Sequence, residues 1–432
     1  MPTVSRCCDH ILKFIHLKHT IIIGGGISGL CTAYYLVEAG HRVTVIDRGD
    51  ISGGASFINA GYLTPSHFIS LAAPGMVARG LKWMFDSRSP LYIRPRWDMD
   101  FLRWGLLFSR SATAKKVEAS IPVLKALNLR SRELYEELYT TSGFDFQYHR
   151  DGVLMVYATE KEGKEELKLA ERAVREGLEV NSLDAGALKA LQPVFSDKAL
   201  GAVHYLCDRH ITPNEFMGTL RKWLEDKGVS FVLGQEVKAI RASGNRITAV
   251  HTTSGGYTAE NVVLAAGSWT FELARKLRLY IPVQGGKGYS MDVRRPTGIS
   301  IPAILAEARV AVTPMNGFTR FAGSMEFSGN NDIIRKERVQ AIADAVTHYY
   351  NDIEISEGEK SLATSGLRPV SPDGLPYIGK SRIYSNLVVA TGHAMMGFSM
   401  GPVTGKLVAQ VINGEKTDID LKPLRPERFR GY

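Results

Sequence analysis

Residues 19–36 read HTIIIGGGISGLCTAYYL: three isoleucines run into three glycines and then into an apolar helix pattern. A short β-branched run bounded by glycine reads as a buried parallel strand. The glycines need another reason, because each costs backbone entropy wherever its freedom is not used. Gly24, Gly26 and Gly29 stand at the spacing G-x-G-x-x-G. In that spacing the first glycine makes a tight turn, the second lets a pyrophosphate approach bare backbone, and the third lets helix and strand pack closely. The N–H groups of Ile27 and Ser28 then open a helix, where the dipole favours an anion.

The surroundings make this more than a chance match. A second strand reads over residues 42–46 and ends at Asp47, eighteen positions after Gly29. A carboxylate there can accept both hydroxyl hydrogens of an adenosine ribose. These residues alone leave NAD and FAD open. Asp47 would repel a 2′-phosphate, which argues against NADP, although Arg48 beside it weakens that point.

Further along, the pattern predicts a helix over 28–39 and then a Gly/Ser/Asn-rich loop. Residues 68–116 read as irregular and rich in Trp, Phe and Arg. Long polar helices are expected over 121–139 and 161–176, short strands over 229–269, more strands over 281–328, and a helix over 336–350. The end, LVVATGHAMMGFSMGPVTGKLVAQVI, is again strand, glycine-rich turn and helix. Glycine-rich turns at both ends of one chain predict two arms of a single cofactor site.

Composition bounds the rest. The 432 residues are 44% hydrophobic and 22% charged, enough for two interleaved domains with good cores. No apolar run reaches the roughly 18–20 residues of a membrane span. Residues 1–17 lack the apolar core and cleavage site of a secretory signal and read as an extension ahead of a domain starting near Lys18. An upstream start codon not used in the cell would explain them equally. Cys7, Cys8, Cys31 and Cys207 show no metal-ligand spacing, so no metal is expected and a reducing, cytoplasmic setting is. Cys31, on the first helix, reads as a small buried hydrophobe. The formal charge of +9 is spread rather than blocked, which disfavours nucleic acid as a partner.

Several ordered motifs carry a family resemblance: GGASFINAGYLTPSHFISLAAPG, APGMVARGLKWMFDSRSPL, IPVQGGKGYSM, TSGLRPVSPDGLPYIG and VVATGHAMMGFSMGPVTGKL. With the opening motif they make the chain resemble the FAD-dependent D-amino-acid dehydrogenases (small subunit) of the D-amino-acid oxidase/glycine oxidase superfamily, over nearly all of it from Lys18. The resemblance selects FAD. It implies an α/β fold: a Rossmann-like FAD-binding domain interleaved with an antiparallel-sheet α+β substrate domain. The implied FAD-binding ranges are 18–66, 196–280 and 364–424, with the substrate domain over 67–195 and 281–363.

On this chain the resemblance places Gly24–Gly29 at the pyrophosphate and Asp47, with Arg48, at the ribose. Ser56 and the run Asn59, Ala60 and Gly61 would pass the pyrophosphate and flavin ring. Val237 would meet the adenine, and Ala266 and Gly267 would pass close to the cofactor. The turn from Gly392 through Met396, Gly397, Phe398 and Ser399 would lie against the isoalloxazine, with the following helix N-terminus facing it.

The implied reaction moves a hydride from the substrate Cα to flavin N5, leaving an imine that water converts to a 2-oxo acid and ammonia. Such a site needs a fixed, planar, always-charged fork for the substrate carboxylate, which means arginine. Arg368, in GLRP, stands where glycine-oxidase relatives bind that carboxylate; a plain alternative pairs it with Asp373. Tyr289, in KGYSM, is a second candidate as a hydroxyl or aromatic wall, and Lys287 as a support for the flavin or its loop. His393 is a candidate amine base, weighed against an ordinary turn histidine. Met395 stands where glycine oxidase has a second arginine, which points to a more apolar substrate end. D-hydroxyproline or D-proline oxidation to a cyclic imine is the nearest alternative; a glycine- or sarcosine-type oxidase, or a non-catalytic FAD-binding subunit, comes after it.

The dehydrogenase relatives imply a quinone or other non-oxygen acceptor. Trp83, Trp97 and Trp104 interleave with Arg88, Arg94, Arg96 and Arg103, a mixture suited to anionic lipid at the inner face of the plasma membrane. Packing inside an insertion would explain the same aromatics.

Overall fold

The computed structural model describes residues 18–75, 89–141 and 143–429. Residues 1–17, with Cys7 and Cys8, and the lipid candidates Trp83 and Arg88 lie outside the described residues.

Two sheets organise the chain. The first has six strands in the order Ser230–Val232, Arg42–Ile46, His19–Ile23, Asn261–Leu264, Leu387–Thr391 and Tyr377–Lys380. All its pairings are parallel except the last. Its strands read as continuous apolar runs because both faces are covered, one by helices Ile27–Glu38, Pro213–Asp226 and Gly401–Asn413, the other mainly by the three-stranded sheet Val237–Ser243, Arg246–Thr252 and Gly256–Tyr257. They come from the opening, the middle and the end of the chain, so the two glycine-rich turns meet at one end of one sheet.

The second sheet has nine strands and is mainly antiparallel. Its order is Thr364–Val370, Gln284–Val293, Phe318–Phe327, Val310–Met315, Ala303–Leu305, Val153–Tyr157, Gly201–Tyr205 and Val180–Asp184, with Leu91–Ile93 paired to Phe318–Phe327. Two of these strands, Gly201–Tyr205 and Thr364–Val370, fall inside the ranges expected for the cofactor domain. Both pair within the second sheet, so sheet membership departs from those ranges.

Bare backbone fixes how the two end helices cross. A Cβ on Gly401 would sit 2.5 Å from Ile27 Cγ1, and one on Gly405 would sit 2.4 Å from the carbonyl carbon of Cys31. Helix Gly401–Asn413 therefore lies directly on helix Ile27–Glu38. Cys31 is buried there, as its position predicts.

The stretch expected to be irregular contains a helix, Met99–Ser111, started by Asp98. The Asp98 carboxylate accepts from the N–H groups of Asp100 and Phe101, both at 3.0 Å. Helix Ala114–Thr141 also begins earlier than expected and continues through Pro122.

Candidate active site

A cleft of about 390 Å³ opens between the sheets, and the glycine turn forms its floor. Gly24 has φ +113°, donates from its N–H to the Ile46 carbonyl at 2.8 Å, and leaves no room for a Cβ, which would stand 2.3 Å from the Ala265 oxygen. Gly29 faces back into the turn; its Cβ would meet the Gly24 oxygen at 1.9 Å. Gly26 faces only the Ser56 hydroxyl, which accepts from the Ile27 N–H at 3.1 Å. Gly24, Gly26, Ile27 and Ser28 line the cleft, whereas Gly29 supports it from behind.

Asp47 ends the second strand with its carboxylate turned to the same floor. It accepts from the Gly25 N–H at 2.7 Å and the Gly49 N–H at 2.8 Å. A carboxylate has about four acceptor sites, so two remain for paired hydroxyls. Arg48 lies 3.6 Å from the centroid of the Trp269 ring, a cation–π contact at the same end of the cleft. Val237, Ala266 and Gly267 line that end too.

Ser56 and Asn59 line one wall, while Ala60 and Gly61 lie behind it. The Asn59 side-chain oxygen accepts from the Gly61 N–H at 2.8 Å, closing the loop on itself. On the facing turn Gly397 and Phe398 line the cleft, but Gly392, Met396 and Ser399 support it. Gly392 has φ +81° and packs on Tyr377. Met396 takes a contact from Asn128 at 3.6 Å, and Ser399 donates to Asn128 at 3.2 Å.

Arg368 lines the cleft from the edge strand of the second sheet. Its Nη1 donates to the Ser324 carbonyl at 2.7 Å. The alternative partner Asp373 is taken by Arg428, at 2.7 and 2.8 Å. Among the described residues no carboxylate pairs with Arg368, and burial pulls its guanidinium down to about 10. A half-buried cation with no counter-charge, facing a cleft, favours an anionic ligand.

The other candidates sit differently. Tyr289 is buried outside the cleft lining, donating to Glu326 at 2.6 Å. Lys287 is fully buried, 3.4 Å from Glu326, and donates to the Ile333 carbonyl at 2.9 Å. Both are spent on that cluster, so neither is in place to touch a ligand of the cleft. His393 does line the cleft, but its Nε2 is 2.9 Å from the Thr404 hydroxyl, and burial pushes its imidazole down to about 4.

Three contributors escaped sequence reading: Gly288, Ser324 and Trp269. The Arg368 guanidinium lies over Gly288, where a Cβ would be 2.2 Å from Nη2. Glycine inside a strand is the signal for such a close approach, and GGKG offers several. Ser324 carries no local sign.

A floor of bare backbone, a helix N-terminus without an acidic first turn, and a carboxylate with two open acceptor sites together fit an FAD molecule. Among the described residues no group of His, Cys, Asp or Glu could hold a metal ion.

The family described as FAD dependent oxidoreductase (DAO) matches residues 19–411. A D-amino acid dehydrogenase of Helicobacter pylori is 30% identical over 396 residues, 91% of this chain and 94% of its own. Another from Neisseria meningitidis is 31% identical over 422 residues, 95% of this chain and 99% of its own. In structure the chain is similar to glycine oxidase from Geobacillus kaustophilus, with a TM-score of 0.76 at 23% identity, covering 95% of this chain and 99% of that one. With the cradle and the family match in agreement, the chain belongs to the DAO family of FAD-dependent oxidoreductases, as an amino-acid-oxidising enzyme whose cofactor is FAD.

Proposed function

We propose that this enzyme is a dehydrogenase of primary D-amino acids, converting substrate and water to a 2-oxo acid and ammonia with release of two electrons and two protons. The single observation behind this reading is Arg368, a half-buried guanidinium that faces the cleft with no carboxylate partner among the described residues. Bound FAD supplies the acceptor for the electron pair.

The chain's own residues bind and orient. Arg368 takes the substrate carboxylate through its planar fork, and the Ser324 carbonyl holds one arm of that fork in place. Fixing the carboxylate narrows the directions open to the neighbouring Cα–H bond, and orientation of this kind supplies much of the rate in such sites. Leu367, Ala394 and Met395 line the cleft nearby and favour an apolar side chain. His393, held neutral by burial and engaged with Thr404, is a poor base for an ammonium group; the amine enters neutral and His393 holds the turn. Gly24–Gly29 and Asp47 hold the cofactor's pyrophosphate and ribose. Helix Gly401–Asn413 opens after the turn with no acidic residue in its first turn, so the positive end of its dipole is uncompensated.

The electrons go on to a quinone in an anionic membrane surface. No helix among the described residues is long and apolar enough to cross a membrane. A surface contact is supported by Trp97, Met99, Leu102 and Leu106, which are 100%, 64%, 48% and 52% exposed. Arg94, Arg103 and Arg110 are exposed around them. Trp104 and Arg96 are not part of this patch. Trp104 is buried and donates to the Val370 carbonyl at 3.0 Å, and Arg96 pairs with Asp98 at 3.0 Å.

The test is anaerobic bleaching of the visible absorbance by D-alanine, D-proline, cis-4-hydroxy-D-proline, sarcosine and the L forms. Bleaching by D-alanine with ammonia release supports the reading. Bleaching by cyclic amines alone replaces it with a D-proline or D-hydroxyproline dehydrogenase, and hydrogen peroxide formation with sarcosine or glycine replaces it with an oxidase. In Arg368→Met, loss of a charge-assisted contact worth roughly 1.5–3 kcal/mol should raise KM about tenfold or more while FAD stays bound. An unchanged KM removes Arg368 from carboxylate binding.

A further inference from the structure

The cofactor wall formed by residues 54–61 is gripped from outside by two side chains that do not line the cleft. Arg320 is 3% exposed and lies on strand Phe318–Phe327 of the second sheet. Its Nε and Nη2 hold both oxygens of Asp292 at 2.7 and 2.8 Å. That leaves Nη1, which donates to the Phe57 carbonyl at 3.1 Å and the Asn59 carbonyl at 2.9 Å. Thr313 is the cross-strand partner of Arg320 and is fully buried. Its hydroxyl donates to the next carbonyl, that of Ala60, at 2.8 Å.

Three carbonyls in a four-residue stretch are thus held by one rung of the second sheet. The same loop reaches the glycine turn at its other end, where Ser56 accepts from the Ile27 N–H at 3.1 Å. In the helical turn Gly54–Phe57 the Gly54 and Ser56 carbonyls accept from the Ile58 and Asn59 N–H groups, while the Phe57 carbonyl at its end accepts from Arg320, where a cation is favourable. The Asp292 carboxylate locks the guanidinium plane, which lowers the entropy lost in holding the loop.

We propose that Arg320 and Thr313 are positioning residues for the cofactor: through the backbone of residues 57–60 they set where Ser56 and Asn59 stand in the wall of the FAD cleft. They act through the loop and touch neither substrate nor cofactor. The inference rests on FAD occupying the cleft, and binding of FAD by the parent apoprotein checks that separately.

The experiment measures FAD dissociation constants of apoproteins by fluorescence quenching, together with the visible spectrum and reduction potential of each reconstituted protein. Arg320→Met is expected to weaken FAD binding at least about tenfold, from loss of charge-assisted bonds. It should also shift the flavin bands and potential of the fraction that binds. Arg320→Lys, which keeps the charge without the fork, should recover part of the loss. Thr313→Val should move affinity and spectrum in the same direction by less, and it keeps the inference testable if Arg320→Met does not fold. Variants that bind FAD as tightly as the parent, with an unchanged spectrum and potential, overturn the assignment. A melting temperature that falls while all three flavin readouts stay put also overturns it, because that is what a purely structural ion pair would give.

Discussion

At the scale of single residues, the substrate end of the site depends on an atom that is missing. Gly288 has no side chain, and the Arg368 guanidinium occupies the space where one would be, within 2.2–2.5 Å of the absent Cβ. Opposite it the register slips between Lys287 and Tyr289, and Ser324 takes φ +67° in the resulting irregularity. A non-glycine residue in that conformation costs of order 1 kcal/mol or more, which the rest of the strand must offset. The gain is a carbonyl turned onto Arg368. Gly288→Ala should push the guanidinium aside, raising KM for the amino acid at least about tenfold with FAD stoichiometry and absorbance unchanged. Parent-like KM in that variant would show that the fork has room to spare. The sequence motif marked Arg368 and Asp47 because their neighbours carry the signal. It pointed at Tyr289 rather than Gly288, yet strand alternation sends those two to opposite faces, and only the pairing with Thr364–Val370 shows which face holds Arg368.

At the scale of elements, local pattern was a good guide for strands that are continuous apolar runs and for helices with one buried and one polar face. The opening strand, the second strand and the helices over 336–349 and 160–175 fall within a residue or so of their expected bounds. Helix Met99–Ser111 did not show itself, because apolar residues occupy both sides of it. Trp104 and Leu107 face inward, whereas Met99, Leu102 and Leu106 face out, which blurs the 3.6-residue period. The crossing of the two end helices was also hidden. Gly401 and Gly405 are four apart and so share a helix face, but the sequence does not name the helix they meet. Gly405→Ala should force those helices apart and destabilise the protein by about 1–3 kcal/mol, read as a lower urea midpoint at constant slope. An unchanged midpoint would mean that the helix backbones can separate without loss.

At the scale of the whole molecule, sheet membership is what sequence could not reveal. Strands Gly201–Tyr205 and Thr364–Val370 look like neighbours of the cofactor strands in the chain and pair instead in the second sheet. Nothing within either strand encodes its partner. That pairing carries Arg368 to the cleft and sets Arg320 and Thr313 behind the cofactor wall, so the site is a product of the interleaving. The patch around Trp97 is likewise a surface property, since it needs one helix to be covered on one side alone. The protein should co-sediment with phosphatidylglycerol vesicles at low salt and be released as salt rises. Replacing Leu102 and Leu106 together by Glu should abolish co-sedimentation while activity with a soluble dye is retained. Equal binding of the double variant would place the lipid contact elsewhere.

The helix crossing has a consequence for chemical reactivity. Cys31 lies where the backbone of Gly405 presses on it, and burial drives its thiol far from the ionised form an alkylating reagent requires. Its labelling can proceed only in the instants when the two helices part. The rate at which the Cys31 peptide gains mass in iodoacetamide is therefore a clock built into the chain, counting openings of the cofactor domain. Saturating FAD should slow that clock by the factor by which it favours the closed form.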